Sequence, residues 1–350
     1  MKHIEIAGRR IGPGQPCYLI AELSGNHHQS YDKAVELVHA AKQAGADAVK
    51  LQTYTADTIT IDSDLPDFRV KSGTLWDGRK LHQLYQEAHT PWQWQPELKK
   101  LAESLGMHCF SSPFDATAVD FLQGLHMPAY KIASFELVDL PLIRRVAATG
   151  KPIIMSTGMA TLGEIDEAVV TARHAGGHEL ALLACSSAYP SPPEAIHLGR
   201  IPHLAATFNV VAGLSDHTLG TAVAVASVAL GASLIEKHFC LSRREPGPDT
   251  AFSLEPAEFR ALVDAVRTAE AALGAPVYGP SEREAASLPF RRSLFVVRDV
   301  RAGETLTAES VRSIRPGNGL HTRHLEEVLG AVATRDIARG TPLSWDLFRK

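Results

Sequence analysis

Cysteine is scarce and unpatterned in this sequence. The four present, Cys17, Cys109, Cys185 and Cys240, stand far apart, form no C-x-x-C, and lie in or beside apolar runs. That excludes a disulfide framework and a thiolate metal cluster, and predicts reduced, buried thiols in a cytoplasmic protein. No apolar run approaches the roughly 20 residues that span a bilayer. Residues 1–10 lack the apolar stretch and small-residue cleavage site of a secretory signal. Dense Lys/Arg blocks are missing and the net charge is −4, which argues against nucleic-acid or membrane-surface partners. Also missing are G-x-x-x-x-G-K-[ST], a strand-linked G-x-G-x-x-G and G-x-S-x-G, so nucleotide binding and serine hydrolysis lose support.

What is present is an ordinary globular balance, 45% hydrophobic and 21% charged over 350 residues, enough for one barrel and a small appendage. Short, near-continuously apolar runs recur at residues 17–21, 48–51, 107–110, 129–132, 153–155, 180–183, 210–212 and 234–235. Such runs fit parallel strands buried on both faces. Helical spacing fills the gaps, for example over 31–44, 96–105, 140–148 and 164–175, with Gly45, Gly106, Gly150 and Gly176 at the stops. Eight such units predict an α/β protein, a closed (β/α)₈ TIM barrel, over residues 1–275, its last helix spanning 256–273. The alternation is interrupted by residues 53–91, a long βα excursion on the side where barrels carry their active sites. A Pro/Ser/Gly-rich linker, 276–289, leads to a small, mostly β domain over 290–350, with strand-like pieces at 293–297, 310–314 and 331–334.

Polar residues follow nearly every apolar run: Glu22; Lys50 and Gln52; Ser111 and Ser112; Lys131, Ser134 and Glu136; Ser156; Ser186 and Ser187; Ser215, Asp216 and His217; Glu236, Lys237 and His238. Packing alone does not require this, whereas a barrel gathers these ends onto one face. His217 and His238 end adjacent strands, where two neutral imidazoles suit a divalent ion with coordination positions left open for Lewis-acid work on a carbonyl. Lys50 and Lys131 lie inside apolar runs, where an ammonium needs an anionic partner. That partner is either a small phosphorylated carboxylate, helped by the serine hydroxyls, or Glu22 and Glu136. Two rivals stay open: a lysine-dependent pyruvate aldolase, in which a lysine forms a Schiff base, and a non-catalytic sugar-binding module.

The segments Ile20-Ala21-Glu22-Leu23-Ser24-Gly25-Asn26-His27, Lys50-Leu51-Gln52-Thr53-Tyr54, Phe110-Ser111-Ser112-Pro113-Phe114-Asp115, Tyr130-Lys131-Ile132-Ala133-Ser134, Ser156-Thr157-Gly158, Gly213-Leu214-Ser215-Asp216-His217-Thr218 and Glu236-Lys237-His238-Phe239 resemble the sialic acid synthase family. Ser313-Ile314-Arg315-Pro316-Gly317-Asn318-Gly319 looks like the signature of that family's antifreeze-like (SAF) domain. The resemblance implies condensation of phosphoenolpyruvate with an acetamido sugar. It also implies a divalent cofactor (Mn, Mg or Co) on His217 and His238. Lys50, Ser112, Lys131, Ser134, Ser156, Ser187 and Ser215 would bind phosphoenolpyruvate. The sugar would meet Gln52, Glu136, Tyr189 and Asp249, with Glu22 and Glu236 as catalytic carboxylates. Arg315 would reach in from the SAF domain of a partner subunit in a homodimer. Ala21-Glu22-Leu23-Ser24, Gly73-Thr74-Leu75-Trp76-Asp77-Gly78, Ser134-Phe135-Glu136 and Gly340-Thr341-Pro342-Leu343-Ser344-Trp345-Asp346 look like one branch, whose sugar is a 2,4-diacetamido-2,4,6-trideoxy hexose of the altro series; the neuraminate and legionaminate branches of the family are the alternative. Departures from the relatives occur at His28, Ala184 and Ser187.

Overall fold

The structure is a computed structural model describing residues 2–71, 73 and 76–350. It divides into two compact units, Met1–Gly274 and Ala275–Lys350. In the first, eight parallel strands close into a barrel: β1 (Tyr18–Glu22), β2 (Ala48–Thr53), β3 (His108–Pro113), β4 (Tyr130–Ile132), β5 (Ile153–Ser156), β6 (Leu180–Cys185), β7 (Val211–Asp216) and β8 (Leu234–His238). Neighbours in sequence are neighbours in the barrel, and β8 pairs with β1 to close it.

Side chains alternate across the barrel wall, as the period of a strand requires. Leu19, Ala21, Val49, Leu51, Leu182, Leu214 and Ile235 point outward into one continuous apolar layer with the helices. Ile20, Ala48, Phe110, Ile154, Ala181, Leu183, Val211 and Leu234 point inward and fill the lower barrel. An antiparallel hairpin, Ile4–Ile6 with Arg9–Ile11, adds Ile4, Ile6 and Ile11 to that inner cluster. Its two three-residue strands are too short to show a period in the sequence. Gly213 sits on β7 because a Cβ there would run into the Leu234 carbonyl of the adjoining strand.

Helix predictions held where caps are sharp. The helix Tyr31–Ala44 starts under Ser30, whose side chain accepts from Lys33 N, and stops at Gly45 with φ 92°. The last barrel helix is Pro256–Leu273. Strands, by contrast, outrun their apolar stretches: β7 continues to Asp216 and β8 to His238. The ladder bonds belong to the backbone, so pairing persists where inward side chains turn polar. The excursion over 53–91 is partly helical, with Ala56–Ile59 and Leu81–Ala88. Thr74 and Leu75 of the sequence motif there lie outside the described residues.

The second unit pairs β9 (Ser293–Val296) with β10 (Val311–Ile314), and β11 (Val332–Ala333) with β12 (Phe348–Arg349). Leu294, Val296, Val311, Val328, Leu343 and Leu347 form its core. All four cysteines are free and buried. No helix among the described residues is long and apolar enough to cross a membrane.

Candidate active site

The same alternation that fills the lower barrel with aliphatic side chains aims the next inward positions into its upper mouth. These are Glu22 on β1, Lys50 and Gln52 on β2, Ser112 on β3, Lys131 on β4, Ser156 on β5, Cys185 on β6, Ser215 on β7, and Glu236 and His238 on β8. They form a buried charge network. Lys50 Nζ lies 2.8 Å from Glu22 Oε2 and 3.4 Å from Glu236 Oε1, and donates to Ser112 Oγ at 3.2 Å. Lys131 Nζ donates to Glu236 Oε1 at 3.0 Å, and Ser215 Oγ reaches the same oxygen at 3.5 Å. Gln52 donates to Glu22 Oε1 at 2.8 Å.

Lys131 therefore does not pair with Glu136, the internal partner its sequence neighbourhood suggested. Glu136 belongs to the 3₁₀ turn Ser134–Val138 beyond β4, whereas barrel closure brings Glu236 across the mouth on β8. Two cations and two carboxylates balance, which is what lets four such groups lie buried together. Their proton affinities diverge. Burial, reinforced by the Glu236 charge, pushes the Glu22 carboxyl up despite Lys50. Burial also acts on Glu236, but Lys131 and Lys50 overcome it and hold that carboxyl well below its ordinary value. Lys50 is held up against burial by Glu22 and Glu236, while burial leaves Lys131 lowered.

His217 and His238 come together with ring centroids 5.3 Å apart. The Ser186 carbonyl accepts from His217 Nδ1 at 2.8 Å, so Nε2 is the nitrogen that would bind a metal once its proton is lost. His238 Nδ1 is buried with no partner. Burial, and then the surrounding positive charge, keep His238 neutral, the form that binds a metal, whereas the Cys185 thiol and the Ser186 carbonyl hold the proton affinity of His217 up against burial. Two neighbouring imidazoles with free nitrogens thus fit one divalent ion. Among the described residues no group of three or more His, Cys, Asp or Glu could hold a metal.

Around this pair stands an aromatic wall. Tyr189 lies 4.5 Å from His217 and 5.1 Å from Phe252 between centroids, and Phe252 lies 4.9 Å from His238. Trp76, from the long excursion, reaches Tyr189 at 5.8 Å and donates to the Pro248 carbonyl at 3.1 Å. Asp249 accepts a short bond from Ser24, and its carboxyl is raised by burial.

Several buried polar atoms near the mouth have no protein partner: Ser156 Oγ, Ser187 Oγ, Glu136 Oε2 and Glu236 Oε2. Such groups cost about 1–3 kcal/mol each when unsatisfied, so they are expected to meet a polar ligand. Ser134 Oγ accepts from Gly158 N at 3.1 Å. Burial pushes the Glu136 carboxyl up to about 7. Of the sequence-derived set only Arg315 stands on the second unit, where its side chain is exposed. Ala184 faces the outer apolar layer, and His28 adopts a left-handed backbone with φ 50°.

Sequence reading assigned no site role to four residues here: Ser24, Trp76, Cys185 and Phe252. Inward parity on β6 would have flagged Cys185, whose thiol lies 3.8 Å from His217 Nδ1. The aromatic residues carry no charge signal and come from loops, so only the fold could place them.

Fold and site together define a TIM-barrel enzyme whose mouth combines paired cations, paired carboxylates and a two-histidine cluster. The chain belongs to the NeuB family: residues 37–278 match the NeuB family model, and residues 291–349 match the SAF domain. It is 44% identical to a pseudaminic acid synthase of Helicobacter pylori over 95% of this chain and 98% of that protein. It is also 44% identical to one of Campylobacter jejuni, over 95% of this chain and 96% of the relative. Among solved structures, the spore coat polysaccharide biosynthesis protein SpsE of Bacillus subtilis matches with a TM-score of 0.68 and 34% identity, covering 100% of this chain and 99% of that one.

Proposed function

We propose that this chain is a pseudaminic acid synthase. It joins phosphoenolpyruvate, water and 2,4-diacetamido-2,4,6-trideoxy-altropyranose into a nonulosonic acid, releasing phosphate. The observation that carries this reading is the Lys50–Lys131–Glu22–Glu236 network beside the His217–His238 pair, in one mouth lined by unsatisfied hydroxyls. The similarity to pseudaminic acid synthases supports the choice of sugar.

Lys50 and Lys131 hold the phosphate and carboxylate, with Ser112, Ser134, Ser156, Ser187 and Ser215 supplying hydroxyls. Gln52, Glu136, Tyr189 and Asp249 orient the open-chain sugar over His217 and His238. A divalent ion (Mn, Mg or Co) on those histidines would polarise the aldehyde as a Lewis acid. C3 of phosphoenolpyruvate forms the new bond to the aldehyde carbon, water adds at C2, and the tetrahedral intermediate expels phosphate. Glu22, the carboxyl with raised proton affinity, is the better proton carrier, and Glu236 stays the fixed anion.

The aldolase alternative needs a neutral lysine amine. Glu22 and Glu236 disfavour that at Lys50; burial lowers Lys131, so borohydride trapping with pyruvate is the check, and no trapped adduct is expected.

The test incubates the protein with phosphoenolpyruvate, Mn²⁺ and a panel of amino sugars and reads products by mass spectrometry. The expected product is the nonulosonic acid of the altro sugar with one phosphate released per turnover. Product from N-acetylmannosamine alone, or turnover that survives a chelator, would overturn the reading.

The working unit we propose is a homodimer in which Arg315 of one SAF domain enters the partner's barrel. Its support is the exposed Arg315 and an exposed apolar group beside the mouth, Phe135, Val138, Met159 and Leu162. Arg315→Ala and His217→Ala chains, each inactive alone, should complement when mixed and reassorted. Random pairing predicts roughly a quarter of wild-type activity, since half the dimers then contain one intact site. No recovery in verified mixed dimers would show that Arg315 acts within its own chain. The free, buried cysteines support a reducing, cytoplasmic setting.

A further inference from the structure

The outer face of the barrel wall is mostly apolar, apart from Thr53 and Ser111, which bond to each other across β2 and β3, and a charged pair behind the two histidines. There Lys237 and Asp216, partners in the β7–β8 ladder, form an ion pair at 2.7 Å with both side chains 0% exposed. Lys237 Nζ also donates to the Thr218 carbonyl at 2.6 Å. Asp216 Oδ1 in turn accepts from Thr218 N at 2.9 Å and Thr218 Oγ1 at 2.8 Å. A buried pair in an apolar layer is a poor way to gain stability, because hydrophobic side chains of similar volume do as well or better. Its position explains it. Asp216 and Thr218 flank His217 in sequence, and Lys237 immediately precedes His238, so the strut grips the backbone on both sides of one imidazole and directly before the other.

We propose that Lys237, Asp216 and Thr218 are positioning residues that set the approach of His217 to His238 and thereby the affinity for the divalent ion. A parallel ladder fixes the register of β7 and β8 only as far as Asp216 and Lys237, and His217 lies one residue beyond it. The strut supplies the missing restraint: it carries the ladder's order through Thr218. On the far side, Ser191 N donates to the His217 carbonyl at 2.9 Å, completing the clamp. Partners behind metal ligands commonly change metal affinity by about 10- to 100-fold when removed.

This inference rests on the metal reading above, and the test separates the two. Metal-free protein is titrated with Mn²⁺ alone, and free ion is followed by electron paramagnetic resonance. In the double variant Lys237→Met/Asp216→Asn no buried charge is orphaned, and Asn can still accept from Thr218. Its Mn²⁺ affinity should fall at least about tenfold. Phosphoenolpyruvate binding, which depends on Lys50 and Lys131, should stay within about twofold, a split that general damage to the fold would not produce. Thr218→Val, which removes only one hydrogen bond, should weaken Mn²⁺ about threefold, and it decides the matter if the double variant does not fold. Wild-type Mn²⁺ affinity in the folded variants would overturn the strut. Failure of the wild-type protein to bind Mn²⁺ would overturn the metal reading on which it stands.

Discussion

Replacing His217 with alanine should cut turnover by at least about a thousandfold while leaving the barrel folded. His217 is one of only two imidazoles at the proposed ion, so its loss leaves a single protein ligand, too few to hold a borderline metal tightly. Without the ion, the aldehyde loses its electrophilic activation, typically several kcal/mol of transition-state stabilisation. The fold should survive because the ring packs at the mouth against Tyr189 and Phe252, not in the barrel core. The measurements are phosphate release, Mn²⁺ titration and thermal denaturation. A variant with wild-type turnover would remove His217 from the metal site, and one with normal Mn²⁺ binding would assign the ion elsewhere.

Glu236→Gln is expected to strike both stability and substrate binding. Glu236 Oε1 is shared by Lys131 at 3.0 Å and Lys50 at 3.4 Å, deep in the mouth. Removing one member of a buried charge network while leaving the others costs about 3–5 kcal/mol, enough to lower the melting temperature by roughly 5–15 °C in a domain of this size. The sign of the pH effect follows from the depressed proton affinity of Glu236. Its ion pairs stabilise the fold above the ordinary carboxyl value of 4.5, and that contribution fades as pH falls through the lower folded value. The wild type should therefore exceed the variant throughout neutral pH, with the gap narrowing in strong acid. Lys131, already lowered by burial, loses the carboxylate that keeps it charged, so KM for phosphoenolpyruvate should rise about a hundredfold. Melting curves from pH 3 to 8 and steady-state kinetics check both parts. An unchanged melting temperature at pH 7 would contradict the network's role in the fold.

Most of the barrel was legible because its signals are local. Apolar runs separated by capped amphipathic helices are written residue by residue, and Tyr31–Ala44 and Pro256–Leu273 could be read to their ends. The candidate site was legible for a related reason: Lys50, Lys131, Glu236 and His238 are polar residues where the run demands apolar ones. Less visible were features whose logic is not periodic, such as the two short strands that cap the lower barrel and the last strand, Phe348–Arg349. Aromatic residues from loops were invisible as site residues, since Trp76 and Phe252 look like any packing side chain until the fold sets them beside His217 and His238.

By itself the sequence determined the alternating architecture, the second small domain and the identity of the charged and imidazole groups, because residue type and spacing carry that information. Which charge meets which was decided only in three dimensions. Lys131 faces Glu236, 105 positions away, instead of nearby Glu136, because closure of β8 onto β1 brings opposite ends of the barrel chain into one mouth. The Lys237–Asp216 strut has the same origin. Strand parity turns those two outward while sending Ser215, Glu236 and His238 inward, and only the paired ladder makes the outward residues a clamp for the inward ones.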